Sequence, residues 1–264
     1  MSPEQRHVAI IAALADRDCV EVVDLSESLG VSEATIRRDL AALESRAVLR
    51  RTHGGAVRTN LAYELPLRYR ESRQELEKDA LAVAAATYVS ENMRVGLSGG
   101  TTLTRIGRTL GPGPPINVLT NSLSVASELA QWPQHTLVAS GGLVRDRSYE
   151  MVGPVADHTI AAFNLDLCVI GADGVSPSGV STHDHAEAAT NRALVEAAGT
   201  CIVAVDHTKL GKTMFSQICG LEDVQILLTT GRPPADLAAA LGQHDVQLVL
   251  ADPSSAVQST AMSA

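Results

Sequence analysis

Five short segments carry the residue types that hold anions and hydroxyls: Ser98-Gly99-Gly100-Thr101-Thr102, Asn121-Ser122, Ser140-Gly141-Gly142, Gly171-Ala172-Asp173-Gly174 and Asp206-His207-Thr208-Lys209. Each lies at the end of an apolar run. A glycine turn that opens a helix exposes backbone N–H groups, and the helix dipole favours an anion there. Thr101 and Thr102 add hydroxyl donors, and Lys209 adds a full positive charge. The implied ligand carries a phosphate and several hydroxyls. Glycine after a strand is first of all a turn residue, so one such turn carries no weight; five of them with Thr, Asn, Asp and Lys do. The candidate ligand contacts are Ser98, Gly99, Gly100, Thr101, Thr102, Asn121, Ser122, Gly141, Gly142, Asp173, Asp206 and Lys209.

A second chemistry sits near the N-terminus. Residues 29–57 read LGVSEATIRRDLAALESRAVLRRTHGGAV. Gly30 closes one short helix and Ser32 can cap the next. Ile36, Leu40 and Leu43 form one apolar stripe at i, i+4 and i+7. Ala34, Thr35, Arg37 and Arg38 then point away from it near the helix N-terminus. Two helices across a tight turn, the second with basic N-terminal residues, make a helix-turn-helix that enters a DNA major groove. Residues 47–57 read as two short strands around a basic, glycine-bearing turn, a wing placed to touch phosphate or the minor groove. The candidate DNA contacts are Ser32, Ala34, Thr35, Arg37, Arg38, Arg51, His53, Gly54 and Gly55.

The net charge of −9 over 264 residues is acidic for a DNA binder, and the distribution resolves this. Residues 35–58 hold six arginines against Asp39 and Glu44, a local +4, whereas residues 59–264 hold 13 basic against 21 acidic residues. The local patch sets the contact with phosphates. Cys19, Cys168, Cys201 and Cys219 lie far apart with no CxxC spacing, so neither zinc nor a disulfide framework is implied, and Cys168 and Cys201 sit in apolar runs as buried thiols. No signal peptide and no membrane-length apolar run stand out, which places the chain in the cytoplasm.

The positioning elements follow from pattern. Helices are expected over 3–16, with Val8, Ile11 and Ala15 inward, then over 23–29 and 32–45. A charged segment, 59–76, links the halves and runs into a helix over 76–92. Strands are expected at 95–98, 117–119, 136–139, 167–170, 201–205, 225–228 and 247–250, with helices over 101–110, 122–131, 153–161, 184–198 and 234–241. Such alternation gives a mostly parallel sheet covered by helices, whose strand ends form a ligand crevice. The domains read 1–58, linker 59–76, 77–251 and a flexible tail 252–264.

The Arg6-His7-x-x-Ile10 opening, the LGVS-x-x-TIRRDL-x-x-LE core and the Arg51-x-His53-Gly54-Gly55-Ala56 ending resemble the DeoR family of bacterial transcriptional regulators. The match is close over about the first 58 residues and looser from Glu77 to about Thr230. The resemblance implies a winged helix-turn-helix plus an α/β sensor domain similar to ribose-phosphate isomerase and coenzyme A transferase folds. It implies that the GTT, TNS, GG, GADG-like and D-x-x-K segments line a sugar-phosphate pocket, and that the chain forms homodimers or homotetramers. Ala47 stands where the family usually has Gly before the wing, and Ser98 where it usually has Asp.

The expected function is a regulator, most simply a repressor of a carbohydrate-metabolism operon, released from operator DNA by a small phosphorylated sugar, with no cofactor and no metal. The alternative is an isomerase-like enzyme with a DNA-binding module, using Asp173, Asp206 and Lys209 for proton transfer; a shared fold is a weak warrant for that. His183-Asp184-His185 with Glu187 offers metal-type ligands, but alternating His residues also occur at exposed helix starts and Asp184 suits a cap, so a ligand-contacting or capping role is the preferred reading. Asn191-Arg192 reaches either the crevice or solvent, and Arg145 and Arg147 either phosphate or another subunit.

Overall fold

Gly30 takes the left-handed conformation, φ 63°, and ends the second helix; Ser32 then accepts the Thr35 N–H and starts the third. The computed structural model that shows this describes residues 1–17, 19–46, 48–58, 67–71 and 73–254. It divides into two compact units, Met1–Arg73 and Gln74–Ala264. Much of the expected linker (59–66 and 72) and tail (255–264), and Ala47 at the start of the wing, lie outside the described residues.

In the first unit, α1 (Pro3–Arg17), β1 (Cys19–Glu21), α2 (Val22–Leu29), α3 (Glu33–Ser45), β2 (Leu49–Arg51), β3 (Gly55–Arg58) and α4 (Leu67–Arg70) follow in chain order. The expected stripe Ile36, Leu40 and Leu43 is buried to within 1%. On α1 the inward face differs from expectation: His7, Ile10, Ile11 and Leu14 are buried and Val8 is only half-buried. The face turns because Arg6 and His7 are needed inside, where both meet Asp39. The wing gains a third strand, in the order β1-β3-β2, since three residues around Cys19 are too few to show as a strand in the sequence.

The second unit begins with α5 (Glu75–Ala86), β4 (Arg94–Leu97), α6 (Thr101–Leu110), β5 (Asn117–Thr120), α7 (Leu123–Leu129), β6 (Thr136–Ala139), β7 (Leu143–Val144), β8 (Met151–Val152) and α8 (Pro154–Ala161). It continues with β9 (Leu167–Ile170), β10 (Gly174–Ser176), β11 (Gly179–Thr182), α9 (His185–Glu196), β12 (Cys201–Val205), β13 (Ser216–Cys219), β14 (Ile226–Thr229), α10 (Ala235–Gln243) and β15 (Gln247–Leu250). The helix expected over 76–92 stops at Ala86, where Thr87 turns its hydroxyl onto the Ala84 carbonyl and the chain tightens into i→i−3 bonds.

Seven strands form one parallel sheet in the order β15-β14-β12-β9-β4-β5-β6. Alternate side chains feed two cores. Cys168, Ile170 and Val203 pack with α8, α9 and α10 residues such as Ile160, Leu194 and Leu237. Leu167, Val169 and Ile202 pack with Leu81, Leu103 and Val125 of α5, α6 and α7. A strand buried on both faces must be apolar throughout, which is why these strands were visible as unbroken runs. The chain fills β4, β5 and β6 outward on one side, then returns to β9 and works outward on the other. The order therefore reverses between β4 and β9, where open α/β sheets hold their ligands.

Candidate functional site

Ala34, Arg37 and Arg38 are exposed at the start of α3, with Ser32 exposed and Thr35 half-exposed at its cap. Arg37 is tied to Glu33 at 2.6 Å, one turn back. Behind this face, Asp39 takes Arg6 Nε at 2.7 Å and Arg6 Nη2 at 3.1 Å, with His7 Nε2 at 3.2 Å. This buried cluster locks α1 to α3. Asp39 falls at i+3 from Ile36, inside the apolar stripe, and a carboxylate there demands a cationic partner; that spacing was the available signal. Tyr69 of α4 adds a further brace, its hydroxyl accepting from Arg46 at 2.8 Å.

The wing is set against α3 by Glu44, whose carboxylate accepts the Arg51 N–H at 2.8 Å. Arg51, His53 and Gly54 are exposed. Gly55 is not available for contact: it is buried, and a Cβ there would lie 1.8 Å from the Val20 carbonyl oxygen. Its reason is the close approach of β3 to β1. Gly54 has open space around its missing Cβ. Gly55→Ala is thus expected to cost about 3 kcal/mol or more, the scale of forced backbone displacement, while Gly54→Ala leaves stability within about 0.5 kcal/mol. Thermal unfolding followed by circular dichroism checks the pair; equal melting curves would contradict this placement of the wing.

In the second unit the strand ends converge at the β4/β9 reversal. Ser98 is wholly buried, and its hydroxyl accepts the Gly171 N–H at 3.0 Å, so it ties the two strand ends together rather than facing a ligand. Gly100, φ 103°, stands at the N-cap of α6 with open space where a Cβ would be and no side-chain cap. No side chain therefore caps the first turn of α6, and Thr101 and Thr102 there are half-buried. Ser122 is buried and caps α7 through the Val125 N–H. Gly142, φ 116°, is packed against the Val152 carbonyl and Ala156, so it serves the local turn. Asn121 is fully buried, and among the described residues neither its Nδ2 nor its Oδ1 has a partner.

Charged groups gather beside these loops. Lys209 Nζ meets Asp173 Oδ1 at 3.1 Å, and the Thr182 hydroxyl lies 3.1 Å from Asp173 Oδ2 and 2.8 Å from Glu187 Oε1. Burial, reinforced by the nearby Glu150 and Asp173 carboxylates, pushes Glu187 well above the usual carboxyl range, against the pull of Arg145 and Thr182. The single Thr182 hydroxyl proton can serve only one of these two carboxylates at a time. Arg145 is turned inward onto Glu187 and Asp184. Asp184 caps α9 through the Ala186 and Glu187 N–H groups, as expected, leaving His185 exposed.

Asp206, an expected ligand contact, and Arg192, left open between crevice and solvent, are both engaged elsewhere. Arg192 does not enter the crevice; it holds the Ile218 and Gln217 carbonyls of β13 at 2.8 and 2.6 Å, beside a separate cleft of about 460 Å³. Asp206 is buried and caps the turn at Thr208. Glu77, Asp206 and His207 bring potential metal ligands within 4.8 Å of one another. These groups already have partners: Glu77 Oε2 lies 2.8 Å from His207 Nδ1 and accepts from Thr230. Cys168 and Cys201 are buried, neighbouring thiols on β9 and β12. No helix among the described residues is long and apolar enough to cross a membrane.

The chain matches the DeoR-like helix-turn-helix domain over residues 6–61 and the DeoR C terminal sensor domain over residues 73–230. It is 34% identical to the HTH-type transcriptional regulator GlpR of Haloferax volcanii, covering 94% of this chain and 98% of that one. It is 29% identical to the Glycerol-3-phosphate regulon repressor of Escherichia coli K12 over 95% of this chain and 100% of that one. A putative aga operon transcriptional repressor of Escherichia coli O157:H7 is 30% identical over 93% of each chain. A ribose 5-phosphate isomerase A structure from Methanocaldococcus jannaschii aligns with 53% of this chain and 55% of its own at 20% identity and a TM-score of 0.39, a likeness too distant to bear on function. With an exposed basic helix on a winged module and a parallel α/β unit matched to the sensor domain, the chain belongs to the DeoR family of DNA-binding transcriptional regulators.

Proposed function

We propose that this regulator represses a carbohydrate-metabolism operon and leaves its operator when a small phosphorylated sugar binds at the strand ends of the second unit. The observation that carries the ligand is the uncapped N-terminus of α6, with open space above Gly100 and the Thr101 and Thr102 hydroxyls beside it. Such a terminus suits a phosphate. Lys209, Asp173 and Asn121 supply polar groups for the rest of the molecule. The names of the glycerol-3-phosphate and aga operon relatives support repression of a carbohydrate operon. Calorimetric titration with a panel of pentose, hexose and triose phosphates tests the reading; it fails if no member of the panel binds.

The Lys209–Asp173 contact beside Glu187 is the one feature that favours an isomerase-like activity. We read the chain as a non-enzyme, because Asp206 is spent on its own turn and the relatives carry regulator names. Turnover of pentose or hexose phosphates above a buffer control would reverse that choice. The chain acts in the cytoplasm as a homodimer or homotetramer, since one winged module gives modest specificity and paired half-sites multiply it. Light scattering at micromolar concentration is expected to give the mass of two or four chains; a strict monomer on and off DNA rules this out.

A further inference from the structure

Glu150 stands on the glycine loop itself. Its Oε1 accepts the Gly99 N–H at 3.2 Å, and the side chain is so close that a Cβ on residue 99 would lie 2.3 Å from its Cγ. It is 3% exposed. A carboxylate thus occupies a donor of the same loop that a phosphate would use, in a region already shared with Glu187 and Asp173.

Residues 143–152 form the β7–β8 hairpin, bounded by Gly141 (φ 70°), Gly142 (φ 116°) and Gly153 (φ 87°), all left-handed. Tyr149, directly before Glu150, takes φ 57°, a costly conformation for a residue with a Cβ. The outer strand β7 exposes Leu143 and Val144. The hairpin rests on the end of β5 through Met151 N–H to the Asn121 carbonyl, 2.6 Å, and Leu123 N–H to the Tyr149 carbonyl, 3.0 Å. The Asn121 side-chain amide beside it is buried with no partner among the described residues. A buried amide left unpaired in one arrangement is a reason to expect a second arrangement that pairs it.

We propose that Glu150 is a built-in competitor for the anion cradle, and that an entering phosphate displaces it and frees the 143–152 hairpin from the end of β5. This rests on the reading of the α6 terminus as the phosphate site. The ligand gains Gly99 and the first turn of α6, and its hydroxyls reach Asn121. The hairpin then pivots at its flanking glycines, so occupancy of the crevice is reported as the position of an exposed apolar arm.

The full-length protein tests this with inorganic phosphate and the sugar-phosphate panel as titrants. Glu150→Gln keeps an acceptor for the Gly99 N–H and removes the charge, so it is expected to bind phosphate about tenfold more tightly than the wild type, the scale of one relieved like-charge contact. Hydrogen exchange in the wild type, which needs no variant, is expected to speed up at Leu123 and Met151, whose N–H groups join the hairpin to the end of β5, when titrant is added. Equal or weaker binding by Glu150→Gln, or unchanged exchange in the hairpin, overturns the proposal; weaker binding would make Glu150 a direct ligand contact. If titrants bind the wild type, Thr101→Val loses them and Glu150→Gln behaves as wild type, the cradle stands and only the competitor falls. If nothing binds either protein, the crevice reading itself falls, and the competitor with it.

Discussion

Replacing Arg38 with alanine is expected to cost about 1–3 kcal/mol of operator binding, the value of one bidentate base contact. That corresponds to roughly 5- to 150-fold in affinity. Arg38 is exposed near the N-terminus of α3, on the side opposite Ile36 and Leu40. Arg37 points to solvent too but is already paired with Glu33. Part of what it gives DNA is therefore offset by breaking that contact, and Arg37→Ala should cost less. The two roles separate by salt. Loss of a base contact relaxes sequence preference, whereas loss of a phosphate contact weakens all sequences alike and lowers the salt slope by about one. Anisotropy titrations of operator and scrambled DNA at several salt concentrations read both. Wild-type affinity for operator in the Arg38→Ala protein would remove α3 from the groove.

Thr101→Val and Lys209→Ala are expected to leave operator binding intact while abolishing its response to the sugar phosphate. Thr101→Val keeps the shape of a half-buried side chain at the first position of α6 and deletes only a hydroxyl. Lys209→Ala removes the cation that faces Asp173. A ligand alters DNA affinity only through a difference in its affinity for two states of the protein. A typical coupling of about 1–3 kcal/mol is 5- to 150-fold, and each variant should lose most of it. Operator titrations with and without effector give the ratio directly; a wild-type ratio in both variants would move the sensor elsewhere.

How much of this was visible in the sequence depended on the kind of signal. The central parallel strands were legible because burial on both faces makes them unbroken apolar runs, such as Leu167–Ile170 and Cys201–Val205. The turn at Gly30 and the cap at Ser32 were legible because each has a local chemical reason. The short antiparallel strands β10, β11 and β13 were not, since Gly174–Ser176 and Gly179–Thr182 read as turn residues. Glycines and hydroxyl residues were legible at the strand ends, but not which of them the scaffold itself uses. Ser98 and Ser122 spend their hydroxyls on the scaffold, which only the pairing of β4 with β9 and the cap of α7 reveal. Glu150 and Glu187 lie 37 positions apart and are brought near each other by the fold, so no local spacing could pair them.

The central claim, that this chain releases DNA in response to a phosphorylated sugar, meets its most direct test in one titration. Operator affinity of the full-length protein is measured with no effector and with a saturating amount of whichever sugar phosphate binds by calorimetry. The expected result is a drop of roughly 5- to 150-fold, with binding to scrambled DNA changed little. Operator affinity that stays the same, or rises, with the crevice demonstrably occupied would contradict it.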